Sequence, residues 1–308
     1  MNQLSADDFE KLFGIAAKTL PQECRELIAQ HDFSYQKLTA EEADRIAREV
    51  DQRIANNHFT TTGSKERWEQ GWSGNLEQFE KSNWDLEALV PKFIRPDQVL
   101  RIFREFVKPK DPQFEYHWYQ VFRLWLFKTY LSQATAIYEF GCGSGFNLPV
   151  LAKLFPEKKI VGLDWIEASK NIVNEMGRVY HWNMAGRVFD FFSPDPSLVM
   201  EPGSVVLTIG ALEQTGQNYE PFLQFVLNAS PSLCVHVEPI CEWYDPKNPL
   251  DSLAIKFHKK RRYWEGFPDR LRALEQKGQA TVIKMQRSYF GSIYLDGYSY
   301  LIWKPTPR

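Results

Sequence analysis

Glu139, Gly141, Gly143, Gly145 and Asp164 carry the first chemical signal in the chain. They lie in the stretch AIYEFGCGSGFNLPVLAKLFPEKKIVGLDW, residues 136–165. An apolar run ends in a carboxylate two residues before the first of three alternating glycines. A helix-like stretch follows, then a second apolar run that ends in Asp164. Glycines at a strand-to-helix turn let a ligand approach the backbone, because no Cβ stands in the way. The helix start adds N–H donors and a positive dipole end. The dinucleotide fingerprint places its third glycine where this chain has Phe146, and a ring there opposes close helix–strand packing. Glu139 pointing into the turn would repel a pyrophosphate and welcome an amino group or a sulfonium. Asp164 is placed to accept hydrogen bonds from both hydroxyls of a ribose. Together these residues favour a cationic nucleoside over a dinucleotide.

Such residues need elements to hold them. From about residue 135, short apolar runs alternate with helix-like stretches. The expected strands are Ala136–Phe140, Lys159–Asp164, Gly186–Asp190, Ser204–Ile209, Leu233–Val237, Ala280–Gln286 and Tyr298–Trp303. Helical segments separate the first five, which predicts a parallel, doubly wound sheet. Only RSYFGSIYLDG separates the last two, which suits an antiparallel hairpin. The first 130 residues read as mostly helical. Ser5 with Asp8, and Thr39 with Glu42, stand at capping spacing ahead of apolar stripes. PDQVLRIFREFVKPKDP reads as a short helix ended by Pro109 and Pro112. An aromatic helix, FEYHWYQVFRLWLFKTYLSQ, leads into the glycine turn. The expected division is a helical N-terminal domain over 1–130 and a nucleoside-binding domain over 131–308.

EFGCGSG, GLDW, FDFF and LTIGALEQ, taken together, resemble the class I S-adenosylmethionine-dependent methyltransferases. The resemblance covers residues 130–308 approximately. It implies an α/β fold, a seven-stranded Rossmann-like sheet whose last strand is antiparallel, here with a helical N-terminal extension. It implies methyl transfer, with S-adenosyl-L-methionine as cofactor. Glu139, Gly141, Gly143 and Gly145 then form the first motif. Asp164 holds the ribose, and Trp165 packs on the adenine. Asp190 with Phe191 reaches the adenine amino group. Ile209, Gly210 and Ala211 lie under the methionine part.

The acceptor must be read from elsewhere, because the fold does not fix it. GALEQTG follows the fourth strand, where many base and amide N-methyltransferases carry Asn-Pro-Pro-Tyr. A small-molecule O-methyltransferase needs a general base, commonly His or a carboxylate. Glu213 and Glu238 follow strands four and five, at the carboxyl edge where ligands bind. They are the favoured catalytic residues, with His117 as a third; His58, His236 and His258 are weaker candidates. Glu213, His236 and Glu238 would suit a divalent ion only if the fifth strand continued through Glu238, so no metal is expected. Lys256 and His258 to Arg262 form a basic cluster that could meet a phosphate or carboxylate on the acceptor. TTTGSKERWEQGWSGN mixes polar groups with two Trp and is the candidate lid.

Bulk composition narrows the classes. The chain has 308 residues, is 44% hydrophobic and 25% charged, and carries a net charge of −2. No basic field argues for nucleic acid. No apolar run approaches a membrane span. Four cysteines form no CxxC pair, and the N-terminus lacks signal-peptide regions. The expectation is a cytoplasmic enzyme without membrane or nucleic-acid partners, with a homodimer left open. Its acceptor is expected to be a small polar metabolite, anionic or sugar-containing, methylated on oxygen: a sugar, nucleotide-sugar or glycan precursor. A methyltransferase of another small-molecule or natural-product acceptor, on oxygen or nitrogen, a nicotinamide-dependent oxidoreductase, methylation of protein and a non-catalytic binding module are the competing readings.

Overall fold

The computed structural model describes residues 1–56 and 65–307. His58 and the first five residues of the expected lid, 60–64, lie outside the described residues. Ser5 opens the first helix as its spacing predicts. The Asp8 N–H donates to the Ser5 hydroxyl, and the Ser5 N–H donates back to the Asp8 carboxylate. That helix is α1 (Ala6–Phe13), between β1 (Asn2–Gln3) and α2 (Gln22–Ala29). β2 (Ser34–Lys37) leads to α3 (Ala40–Ala55), which opens on the same device at Thr39 and Glu42. α4 (Lys65–Lys81) takes in the rest of the expected lid.

PDQVLRIFREFVKPKDP is not a helix. It forms β3 (Leu100–Ile102) and β4 (Glu105–Pro109), an antiparallel hairpin in which Leu100 faces Val107. Phe103 and Arg104 make the turn, with φ of 51° and 64°. Two positive φ values in succession match the strand twist, and glycine or asparagine usually supplies them. No such residue marks this turn. Leu100, Arg101 and Ile102 are all buried, so the period of two is hidden as well. α5 (Phe114–Tyr130) follows and is the aromatic helix expected from its sequence.

The second half alternates as predicted: β5 (Ala136–Phe140), α6 (Leu148–Leu154), β6 (Lys159–Asp164), α7 (Glu167–Tyr180), β7 (Met184–Val188), β8 (Val205–Ile209), α8 (Glu220–Ala229) and β9 (Leu233–Val237). Then come α9 (Pro249–Arg261), α10 (Phe267–Gln276), β10 (Ala280–Gln286), β11 (Phe290–Ser292) and β12 (Tyr300–Pro305). Seven strands form one sheet in the order β10-β12-β9-β8-β5-β6-β7. β5 to β9 are parallel, and β12 runs antiparallel to both its neighbours. β5 is buried along its whole length, as a strand covered on both faces must be. One face packs on α5, α6 and α7, the other on α8 and α10.

The connection between β10 and β12 does more than turn. β11 leaves the large sheet and pairs with β3, completing a five-stranded antiparallel sheet in the order β1-β2-β4-β3-β11. Phe290 of β11 stacks on Trp118 of α5 at 3.8 Å. The first third of the chain and the large sheet therefore share one aromatic core. Strand order reverses at β5, whose two neighbours are β6 and β8. A crevice opens beyond the carboxyl ends of the strands at such a switch point. Gly141 leaves β5 there, and Gly210 leaves β8. Among the described residues, no helix is long and apolar enough to cross a membrane.

Candidate functional site

The glycine turn is set by its contacts. Gly141 has φ of 72°, and a Cβ there would stand 2.3 Å from the Ala211 methyl. The loops after β5 and β8 thus touch at a point only glycine permits. Gly143 has φ of 55°, and a Cβ would meet the Trp72 ring of α4 at 2.9 Å. The Ser144 hydroxyl donates to the Leu89 carbonyl at 2.7 Å. α4 and the turn after it are therefore seated on the glycines. Trp68 stacks on Trp72 with centroids 5.5 Å apart, one helical turn away. Gly143→Ala should cost about 1–3 kcal/mol in denaturant unfolding, from strain and from the clash. Adding Trp72→Ala should leave the strain part in place. Unchanged stability in Gly143→Ala would contradict this packing.

Asp164 ends β6 beneath the turn and is 6% exposed. Its carboxylate accepts from the Gly143 N–H at 2.9 Å and from the Ile166 N–H at 3.1 Å, one bond to each oxygen. Each oxygen keeps a free lone pair for a further donor. Burial pushes its pKa up to about 6 against the pull of those two amides and of the Trp165 amide, and the nearby Glu69 of α4 adds to the rise. Trp165, next in sequence, is half-buried, 6.2 Å from Phe192. Asp190 accepts from the Phe192 N–H at 2.8 Å in a tight turn beyond β7. Phe191 packs edge-on against Phe222 and faces Gly141. Ile209 is half-buried, and Gly210 is exposed with open space over its α-carbon. The structure thus gathers Gly141, Gly143, Asp164, Phe191, Gly210 and Ala211 at one edge.

Glu139 lies under the turn, 1% exposed. Asn147 donates to its Oε1 at 2.7 Å, while Oε2 has no partner among the described residues. Burial drives its pKa up to about 7, opposed by Asn147 and Arg123. Arg123 of α5 is itself buried, over the Phe146 ring at 4.1 Å. Neither Arg123 nor Asn147 was singled out from sequence; only their neighbourhood to Glu139 in the fold reveals them. The folded chain holds the Glu139 proton more tightly than the unfolded chain, whose glutamates titrate near 4.3. Between about pH 4.3 and 7 the native state therefore binds the extra proton, and stability falls as pH rises. Relative to wild type, Glu139→Gln should gain about 3 kcal/mol between pH 4.5 and 8 in urea unfolding. A gap that does not change with pH would contradict it.

Glu213 and Glu238 meet after β8 and β9. Glu238 is fully buried and accepts from the Thr208 hydroxyl at 2.7 Å and from the N–H groups of Ala211, Leu212 and Glu213. It holds the 3₁₀ turn Leu212–Thr215 in place. Burial, and then the Glu238 charge beside it, push the Glu213 carboxyl well above the usual range, so Glu213 holds the shared proton. His117 stands apart, with Nδ1 2.8 Å from Asp111 and its ring stacked on His31 at 3.7 Å. His236 is buried within the sheet beside Thr208, and His258 bonds the Trp264 carbonyl. Among the described residues, no group of three His, Cys, Asp or Glu is placed to hold a metal ion.

A cavity of about 420 Å³ borders the same edge. Phe192 closes it on the β7 side, Gln214 to Asn218 line its β8 side, and Lys259, Arg262, Tyr263 and Glu265 complete it.

Seven strands in this order, with an antiparallel strand second from one edge, decide the fold. It is the seven-stranded Rossmann-like sheet that the sequence resemblance implies. No protein-family model matches the chain, and no curated protein does. Among solved structures, the chain is similar to an S-adenosylmethionine-dependent methyltransferase from Aquifex aeolicus, at 16% identity over 58% of this chain and 86% of that one, with a TM-score of 0.40. It is similar to magnesium protoporphyrin IX methyltransferase from Synechocystis PCC 6803, at 11% identity over 61% and 77% of the chains and a TM-score of 0.41. An O-methyltransferase from neocarzinostatin biosynthesis shares 12% identity over 64% and 59%, with a TM-score of 0.41. These likenesses describe the fold alone. This sheet places Asp164 and the glycine turn at its switch point, and Glu213 and the cavity one strand further on.

Proposed function

We propose that the chain is an S-adenosylmethionine-dependent methyltransferase acting on an oxygen of a small polar acceptor, a sugar, nucleotide-sugar or glycan precursor. One observation carries the cofactor half: Asp164, with a free lone pair on each oxygen, stands beside the glycine turn, and Oε2 of the nearby Glu139 has no partner among the described residues. That donor-poor, acceptor-rich set fits a nucleoside that carries hydroxyls and positive charge. When bound, S-adenosylmethionine supplies an electrophilic methyl group for in-line displacement. Asp164 accepts from the ribose hydroxyls. Trp165 and Phe191 offer ring faces to the adenine, with Asp190 beside them. Ile209, Gly210 and Ala211 leave room for the methionine part.

The acceptor half rests on the cavity beside Gln214. Amides, two hydroxyls and two aromatic rings are among its lining, a mixture that suits a polyhydroxylated ligand. Glu213 and Glu238 hold one proton and one negative charge between them. The pair can take up a second proton as an acceptor hydroxyl loses its own. His117 has no part in this reading, because Asp111 and His31 engage its ring. The test is release of S-adenosylhomocysteine from full-length protein given S-adenosylmethionine and a panel of sugars, sugar phosphates and nucleotide sugars. Turnover with a member of the panel is expected, and Glu213→Gln should lower it tenfold or more, by about the contribution of one acid–base group. Turnover only with amines or peptides would overturn the acceptor assignment.

A further inference from the structure

The basic segment that ends α9 has two kinds of cation. Lys256 pairs with Asp51 of α3 at 2.7 Å, and Arg261 donates to the Tyr263 hydroxyl at 3.2 Å. Lys259 and Arg262 are different: both are exposed, and neither forms a salt bridge among the described residues. Both line the cavity of about 420 Å³. Arg262 caps α9 in the left-handed region, at φ of 53°. Its carbonyl stands 3.0 Å from where a Gly216 Cβ would be, so this corner is packed onto the β8 loop. The backbone that carries the two cations therefore lies beside the loop that carries Glu213.

The cavity offers more than charge. The Oε1 of Gln214 is buried and has no hydrogen-bond partner among the described residues. Its Nε2 donates to the Gly210 carbonyl at 3.3 Å, which fixes the amide and leaves that acceptor for a ligand. Phe192 is 43% exposed at the cavity wall, an uncommon exposure for a ring. Tyr263 faces the same space; burial first, and then Glu213, push its phenol up to about 12, so it stays a neutral donor. Glu265 is the single carboxylate among the lining residues, against two cations. A neutral sugar would use Gln214 and the rings but leave Lys259 and Arg262 idle. An anion on that sugar would use all of them.

We propose that this cavity binds the charged end of the acceptor, and that the acceptor is a sugar bearing a phosphate or a carboxylate. Lys259 and Arg262 take the anion, and the Gln214 amide oxygen takes a hydroxyl. The proposal rests on the methyltransferase reading and names the substrate class within it.

The experiment titrates the full-length chain, saturated with S-adenosylhomocysteine, with glucose 1-phosphate, glucuronate and glucose in parallel. At least one of the two anions is expected to bind saturably and tenfold or more tighter than glucose. Which one does so separates phosphate from carboxylate. The Lys259→Ala/Arg262→Ala variant should lose tenfold or more of that affinity while binding S-adenosylmethionine within twofold of wild type. Glu265→Gln should tighten the anion. Equal affinity for glucose and both anions, or a double variant that binds the anion like wild type, would overturn the subsite. Failure of wild type to bind S-adenosylmethionine would instead overturn the parent reading, so the two failures are told apart.

Discussion

Asp164→Ala should weaken S-adenosylmethionine binding about a hundredfold or more. The carboxylate has one free lone pair on each oxygen, and two ribose hydroxyls would fill them. A hydrogen bond to a charged group contributes about 1.5–3 kcal/mol, so two account for that factor. The same substitution strips an acceptor from the Gly143 and Ile166 N–H groups. Part of the loss would then come through the turn. Asp164→Asn separates the two effects, because its amide oxygen can still accept from one N–H. It should melt close to wild type and still bind at least tenfold more weakly. Affinity should also rise with pH up to about 6, the value to which burial brings Asp164, and level off above. Calorimetry on the three proteins checks this, and affinities within threefold of one another would remove Asp164 from the site.

Arg287→Met should be the most destabilising of the substitutions considered, at about 3–5 kcal/mol. Arg287 donates to Asp296 at 2.7 Å and to Asp251 at 2.8 Å, and also to the Trp243 carbonyl. Arg101 of β3 reaches the same two carboxylates at 3.1 Å and 3.5 Å. Asp251 and Asp296 are almost fully buried. Burial pushes the Asp251 carboxyl upward, but its bonds to Arg287 and the charge of Arg101 outweigh that and hold it below its usual range. Without Arg287 the two carboxylates would share fewer donors in a place water does not reach. The cluster joins β3, α9 and the β10–β12 connection, so the cost should appear as global unfolding. Urea midpoints of wild type and variant provide the measure. A loss under 1 kcal/mol would mean that the cluster is not the joint described here.

The part of this molecule that repeats a rule was legible from its residues. Ser5 and Thr39 start helices because their hydroxyls accept from the N–H three residues on, and the structure has both boxes. The seven strands and the antiparallel end followed from the spacing of apolar runs. What escaped reading depended on distant partners. Arg101 is buried because Asp251 and Asp296 come to it from 150 residues or more away, and a buried arginine concealed the alternation of β3. β11 was hidden for the same reason, since its partner lies in the first third of the chain. Trp68 and Trp72 stood out as odd in a loop; their spacing of four was the helical signal. Glu139 was expected to point into the turn, and the structure sets it beneath, where Asn147 holds one oxygen. The bonds that hold Glu238, from three backbone N–H groups and a threonine, also come from residues more than twenty positions away. Neither fact is written in local spacing.

The central claim is that the glycine turn, Glu139 and Asp164 hold a cationic nucleoside. Calorimetric titration of the full-length chain with S-adenosylmethionine, with NAD in a parallel cell, tests it most directly. Saturable one-to-one binding of S-adenosylmethionine and no heat from NAD is the expected result. Binding of NAD in place of S-adenosylmethionine, or of neither, would contradict the account.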